Sequence, residues 1–203
     1  MRATLFTSLG NEPGDIGKAF EQFKQVLANN QIKGFESEAQ QMTDEDHGSV
    51  VLRSHYFGLR KVYAGWQMPR DPTTGAVAGG LKAADDHYKW LSQKFGYSIP
   101  TPENLINQIG YQDLLGGNAE EAIATFKSNV ERYSNSANVY DSLAEAYEKS
   151  GRLELAVPLY EKAQALGKQN NDPNAPVYGA NFMRASERIK QAEAAKQAGT
   201  KAR

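Results

Sequence analysis

The sequence predicts a mainly α protein, with a short β-α-β-α segment in front and an α-helical repeat domain behind. Three observations carry that expectation. Two stretches, both within the first 42 residues, have the length and composition of strands. Elsewhere apolar residues recur at three- and four-residue spacing, the period at which side chains share one helix face. In the second half, small and aromatic residues recur at a fixed offset of 34 positions, as they do in stacked helical hairpins.

Ala3 to Leu9 is a short apolar, β-tending run closed by the turn cluster GNEPGD. Ile16, Phe20, Phe23 and Leu27 then stand at i, i+4, i+7 and i+11 and mark an amphipathic helix, which NNQIKG ends. Phe35, Ser37 and Ala39 alternate with Glu36, Glu38 and Gln40, the pattern of a strand with one wet face. The loop around TDEDHGSVVL follows. Beyond it Ser54 is placed to cap a helix whose Tyr56, Leu59, Tyr63 and Trp66 share a face. Two strands joined through a helix are expected to run parallel, and a parallel pair normally sits inside a larger covered sheet. Residues 1–66 therefore read as the last portion of an α/β domain whose earlier strands are missing.

Residues 67–100 form a linker and a connecting helix. QMPRDPTTGAVAGG concentrates Pro and Gly; Leu81, Ala84, Tyr88, Leu91 and Phe95 follow at helical spacing; SIPTPE breaks the pattern, with Thr101-Pro102-Glu103 as a helix start. In residues 101–170, Tyr140, Leu143, Ala144, Tyr147, Gly151, Ala156, Tyr160 and Ala163 occupy the positions of a tetratricopeptide pattern. Ile106, Ile109, Gly110, Gly117, Ala122 and Phe126 occupy equivalent places one repeat earlier. Small residues there let two antiparallel helices approach, bulky ones fill the space between hairpins, and Gly117 and Gly151 end the first helix of each pair. The first repeat departs from the pattern at Asp113 and Asn129, and both lack the terminal proline, with Ser134 and Lys168 in its place. Stacked repeats need covered ends. The helix at 81–95 and a final one in residues 171–203, carrying Tyr178, Phe182, Ala185 and Ile189, suit that role. The last residues form a basic tail with Lys190, Lys196, Lys201 and Arg203.

A net charge of −1 carries no basic excess, which argues against nucleic acid as a partner. The absence of cysteine excludes disulfides and thiolate chemistry. No apolar run approaches the roughly 20 residues of a membrane span, so no membrane insertion is expected. His47, behind Asp44, Glu45 and Asp46, is open to three readings from its surroundings: a catalytic base, a polar loop residue, or a metal ligand. A zinc site needs three or four converging donors, and adjacent acids generally point apart, so neither metal nor cofactor is expected. His55 falls near the start of the following helix, and His87, beside Asp85 and Asp86, reads as a surface residue.

The stretches ATLFTSLGNEPG and FESEAQQMTDEDHGSVVLRSHYFGLRKVYAGW resemble the C-terminal end of bacterial esterases of the α/β-hydrolase superfamily, the group related to esterase D and the siderophore esterases. HYKWLSQKFGYSIPTPENLINQIGYQDLLGGNAEEAI is similar to the tetratricopeptide-like extension that some of them carry. The resemblance implies that His47 completes a Ser-acid-His triad, with the acid in the loop holding Glu12 and Asp15, Glu12 being preferred. The nucleophile is missing: no Gly-x-Ser-x-Gly pentapeptide occurs, and GYSIP, the nearest, ends in proline and lies downstream. The expectation is a C-terminal piece of a serine esterase, inactive alone, with repeats that can take a protein or peptide partner. A sheet cut short leaves an open strand edge, so a homo-oligomer formed through residues 1–66 is also expected.

Overall fold

The structure, a computed structural model, describes residues 3–201. Arg203 of the basic tail and the side chains of Lys196 and Lys201 lie outside the described residues. The chain is mainly α, with eight helices and one small parallel sheet among the described residues. It divides into two compact units. One takes the described residues up to Met68 together with His87–Ile99; the other takes Pro69–Asp86 and Pro100 onward.

In the first unit, β1 (Ala3–Leu9) and β2 (Phe35–Gln41) pair in parallel, from Ala3 opposite Phe35 to Leu9 opposite Gln41. The crossover between them is α1 (Asp15–Asn29). The helix α2 (Val50–Val62) packs on β1, where the Ser8 and Ser54 hydroxyls share a hydrogen bond. Ser54 is not the cap of α2, which begins one turn earlier. Its hydroxyl instead donates back to the Val50 carbonyl at 2.6 Å, inside the helix. Both helices leave apolar side chains in solvent: Ile16, Phe23 and Val26 on α1, and Val51, Leu52, Tyr56 and Leu59 on α2. A two-stranded sheet is too narrow to cover them. Beyond α2, Tyr63 and Trp66 meet Phe95 through ring contacts, and His87 donates from Nε2 to the Trp66 carbonyl at 3.2 Å. His87 is thus half-buried among aromatic rings rather than lying free on the surface.

The residues read as a linker are folded. Asp71 Oδ1 accepts from the Thr73 and Thr74 amides, and Arg70 pairs with Val77 across the turn. Helix α3 (Gly80–Phe95) contributes its first residues to the second unit and the remainder to the first. In the second unit, α4 (Glu103–Leu115) and α5 (Ala119–Arg132) form one antiparallel hairpin, and α6 (Ala137–Lys149) and α7 (Leu153–Gln169) the next. Corresponding helices start 34 residues apart, and α8 (Ala175–Lys201) closes the stack on α7. Gly110 lies so close to Phe126 that a Cβ would sit 2.5 Å from its ring. Ala122, Ala144 and Ala156 are fully buried between helices.

The first helix of each hairpin ends in the same hydrogen-bond pair around a left-handed glycine. At Gly117 (φ 85°) the bonds are Gly117 N to Leu114 O and Asn118 N to Asp113 O; at Gly151 (φ 78°) they are Gly151 N to Glu148 O and Arg152 N to Tyr147 O. Tyr160 is buried, but Tyr140 only partly so, packed on Ala137, Ala163, Leu166 and Tyr178. Asn129, where a small residue is expected, is buried and donates from Nδ2 to the Glu103 carbonyl. Ahead of α4, Val77 and Ala84 are buried and Asp85 holds Arg132 through two hydrogen bonds of 2.6 and 2.8 Å.

Candidate active site

Parallel strands deliver their C-terminal ends to one side of a sheet, and the loops there are where α/β folds build sites. Here those loops are residues 10–14 after β1 and 42–49 after β2. Backbone contacts tie them together. Met42 N donates to Leu9 O at 2.8 Å, and Asn11 N donates to Glu45 O at 2.6 Å. Gly10 is required at the crossing, since a Cβ would stand 2.8 Å from the Glu45 carbonyl oxygen and 2.9 Å from that of Asp46.

Across this junction His47 Nδ1 lies 2.7 Å from Glu12 Oε1. An ionised carboxylate only accepts, so Nδ1 carries the proton and the Nε2 lone pair of the neutral ring is left for another group. The Glu12 side chain is 18% exposed and the His47 side chain 93% exposed. The arrangement is a carboxylate-oriented imidazole with one nitrogen open to solvent. Asp15, the other acid of the first loop, begins α1, is fully exposed and pairs with Lys18 at 3.5 Å. The loops bring Glu12, not Asp15, to His47.

The three acids before His47 are engaged in holding the loop. Asp46 Oδ1 accepts from the Gly48 and Ser49 amides at 2.8 Å each, while the Asp46 amide donates to Ser49 Oγ at 3.0 Å. This reciprocal pair is a capping box and starts α2. Arg53 Nη1 donates to Asp44 Oδ2 at 2.5 Å and to Glu45 Oε1 at 2.7 Å. The Arg53 hydrogen bond holds the Asp44 carboxyl below its usual range. Ser49 and then Arg53 do the same for Glu45, and the Ser49 and Gly48 amides for Asp46. His55 is bonded within α2, its Nδ1 donating to the Val51 carbonyl at 2.9 Å. Among the described residues no group of three His, Asp or Glu side chains is placed to hold a metal ion. Nor, among them, is any helix long and apolar enough to cross a membrane.

Sequence reasoning singled out Glu12 and His47 but missed Gly10, Asn11, Ser49 and Arg53. The Asp46–Ser49 spacing is a legible capping signal. The Arg53 contacts span eight and nine residues through a loop and have no periodic signature.

No protein-family profile matches the chain, and no curated protein matches it. A solved structure, that of an uncharacterised protein from Capnocytophaga ochracea DSM 7271, is similar at 14% sequence identity and a TM-score of 0.61. The match covers 92% of this chain and 54% of that one. The chain thus spans about half the length of that protein. At such identity the likeness concerns the fold alone.

Proposed function

We propose that this chain supplies the acid–base part of a serine ester hydrolase of the α/β-hydrolase type, with His47 as general base and Glu12 as the orienting acid. The nucleophile then belongs to polypeptide beyond this sequence, which has no Gly-x-Ser-x-Gly elbow. The observation that carries the reading is the 2.7 Å contact between His47 Nδ1 and Glu12 Oε1 at the ends of two adjacent parallel strands. In the reaction, Nε2 takes the serine hydroxyl proton as the oxygen attacks the ester carbonyl. It then returns that proton to the departing alkoxide. Glu12 fixes the tautomer and stabilises the transient imidazolium without taking the proton itself.

A second reading is favoured by the open edge of β1 and the exposed apolar residues of α2. By itself the chain acts as an interaction module: the first 66 residues pair with another copy, and the helical repeats take a protein or peptide partner.

Hydrolysis of p-nitrophenyl butyrate tests the first reading. The purified chain is expected to show no turnover, because loss of the serine from such a triad costs on the order of 10⁶ in rate. The same chain extended by the sequence encoded in frame upstream of Met1 is expected to hydrolyse the ester. Turnover by the chain alone that His47→Ala abolishes, or a stop codon upstream with no Gly-x-Ser-x-Gly in frame, would overturn it.

A further inference from the structure

We infer that Arg53 is a positioning residue for the His47–Glu12 pair, acting through Glu45. The inference rests on the acid–base reading of that pair. Glu45 is gripped at two points. Its side chain accepts from Arg53 Nη1 at 2.7 Å, and its carbonyl accepts from the amide of Asn11 at 2.6 Å. Asn11 is the residue before Glu12, and Glu45 stands two residues before His47. Together with the Met42–Leu9 bond, Glu45 therefore ties the loop that carries the acid to the loop that carries the base.

Arg53 lies in the first turn of α2, where a hydrogen-bonded helix backbone and the Asp46–Ser49 cap fix its origin. The Phe57 ring, 5.8 Å from its guanidinium carbon, flanks it on the same helix. The same Nη1 also holds Asp44, so both acids ahead of Asp46 are drawn toward the helix. The alternative role for these carboxylates, a cation site, is not needed to account for them, since each already has a donor. His47, by contrast, has an almost fully exposed side chain and little packing to hold its ring. Its orientation depends on where the two loops stand. With the Arg53–Glu45 contact broken, Glu45 keeps only its backbone bonds to Met42 and Asn11, and Asn11–Glu12 is freer to move away from the ring. The unpaired imidazole then reverts to its solution preference for the proton on Nε2, which removes the lone pair a base requires.

The tautomer of His47 reads this directly, without any enzymatic activity. Two-bond proton–nitrogen correlation spectra of the ¹⁵N-labelled chain, taken near about pH 8 where an ordinary imidazole is neutral, distinguish a protonated Nδ1 from a protonated Nε2. The native chain is expected to show Nδ1–H, and Glu12→Ala to show mainly Nε2–H. Arg53→Met and Glu45→Met are expected to shift His47 most of the way toward the Glu12→Ala spectrum, with Arg53→Lys and Glu45→Gln, which keep a donor and an acceptor, retaining part of the native signal. An unchanged His47 spectrum in Arg53→Met, with the backbone amides of the first unit in place, would overturn the inference. Where Arg53→Met collapses the dispersion of those amides, Glu45→Met decides, since it removes the acceptor and keeps size. Loss of the amide pattern in both variants counts against a positioning role and makes Arg53 a residue of folding. A native chain whose His47 tautomer ignores Glu12→Ala would instead defeat the acid–base reading itself.

Discussion

Gly110 and Asp141 show how single residues in the repeat unit can be tested. Replacing a helical glycine by alanine ordinarily gains up to about 1 kcal/mol. At Gly110 the new methyl meets the ring of Phe126, which is itself fully buried and has nowhere to swing. Overpacking of this kind costs roughly 1–3 kcal/mol, so Gly110→Ala is expected to lower the melting temperature; a rise would show that α4 and α5 can move apart freely. Asp141 is mostly buried, and desolvation pushes its carboxyl above the usual range, although Asn181 Nδ2 donates to it at 3.0 Å. A raised folded-state value means that the folded chain holds the proton more tightly than the unfolded one. The contribution is therefore favourable in acid, and it is lost as pH rises through the raised value. Asp141→Asn is expected to raise the melting temperature near about pH 7 and to change it little near about pH 3, below the ordinary carboxylate range. An equal effect at both would contradict the assignment. Neither environment is visible from composition: Gly110 stands out through the repeat pattern, whereas Asp141 becomes distinctive only when α8 brings Asn181 against it.

At the scale of elements, glycine punctuation was the most legible signal and helix starts the least. Gly117 and Gly151 stand at the ends of α4 and α6 with φ of 85° and 78°, each with its pair of terminal hydrogen bonds. A third such end, after α7, uses Asn171 at φ 52°. Gly151→Ala forces an L side chain into the left-handed region at about 1–2 kcal/mol, and thermal denaturation is expected to show that loss. Stability equal to the native chain would mean that the turn is not held as described. The sequence places the start of α2 a turn late because Ser54 is a residue type that caps helices, whereas the start is held by the Asp46–Ser49 bonds, and Tyr56 and Leu59 are exposed like Val51 and Leu52. The stretch 67–80 reads as linker by its Pro and Gly content. What folds it is the carboxylate of Asp71 and the burial of Val77, features of geometry rather than composition.

For the molecule as a whole, the sequence conveyed the mainly α class, the parallel pair and the 34-residue hairpin offset, because each rests on local periodicity. How the chain divides into units was not legible, since α3 belongs to both. The front unit leaves Leu52 at 79% and Leu59 at 58% exposure on α2, beside an open strand edge. Surfaces of this kind are usually covered by something. Light scattering is expected to find the chain oligomeric and a Leu52→Lys, Leu59→Lys variant monomeric; a monomeric native chain would remove the assembly reading. The central claim, that Glu12 and His47 act together as acid and base, is tested most directly by the ester-hydrolysis kcat of the chain joined to its upstream-encoded sequence. His47→Ala is expected to lower kcat by on the order of 10⁶ and Glu12→Ala by a smaller factor, on the order of 10⁴, while Asp15→Ala leaves it near the native value. Full activity in His47→Ala, or a loss in Asp15→Ala that Glu12→Ala does not share, would contradict the account.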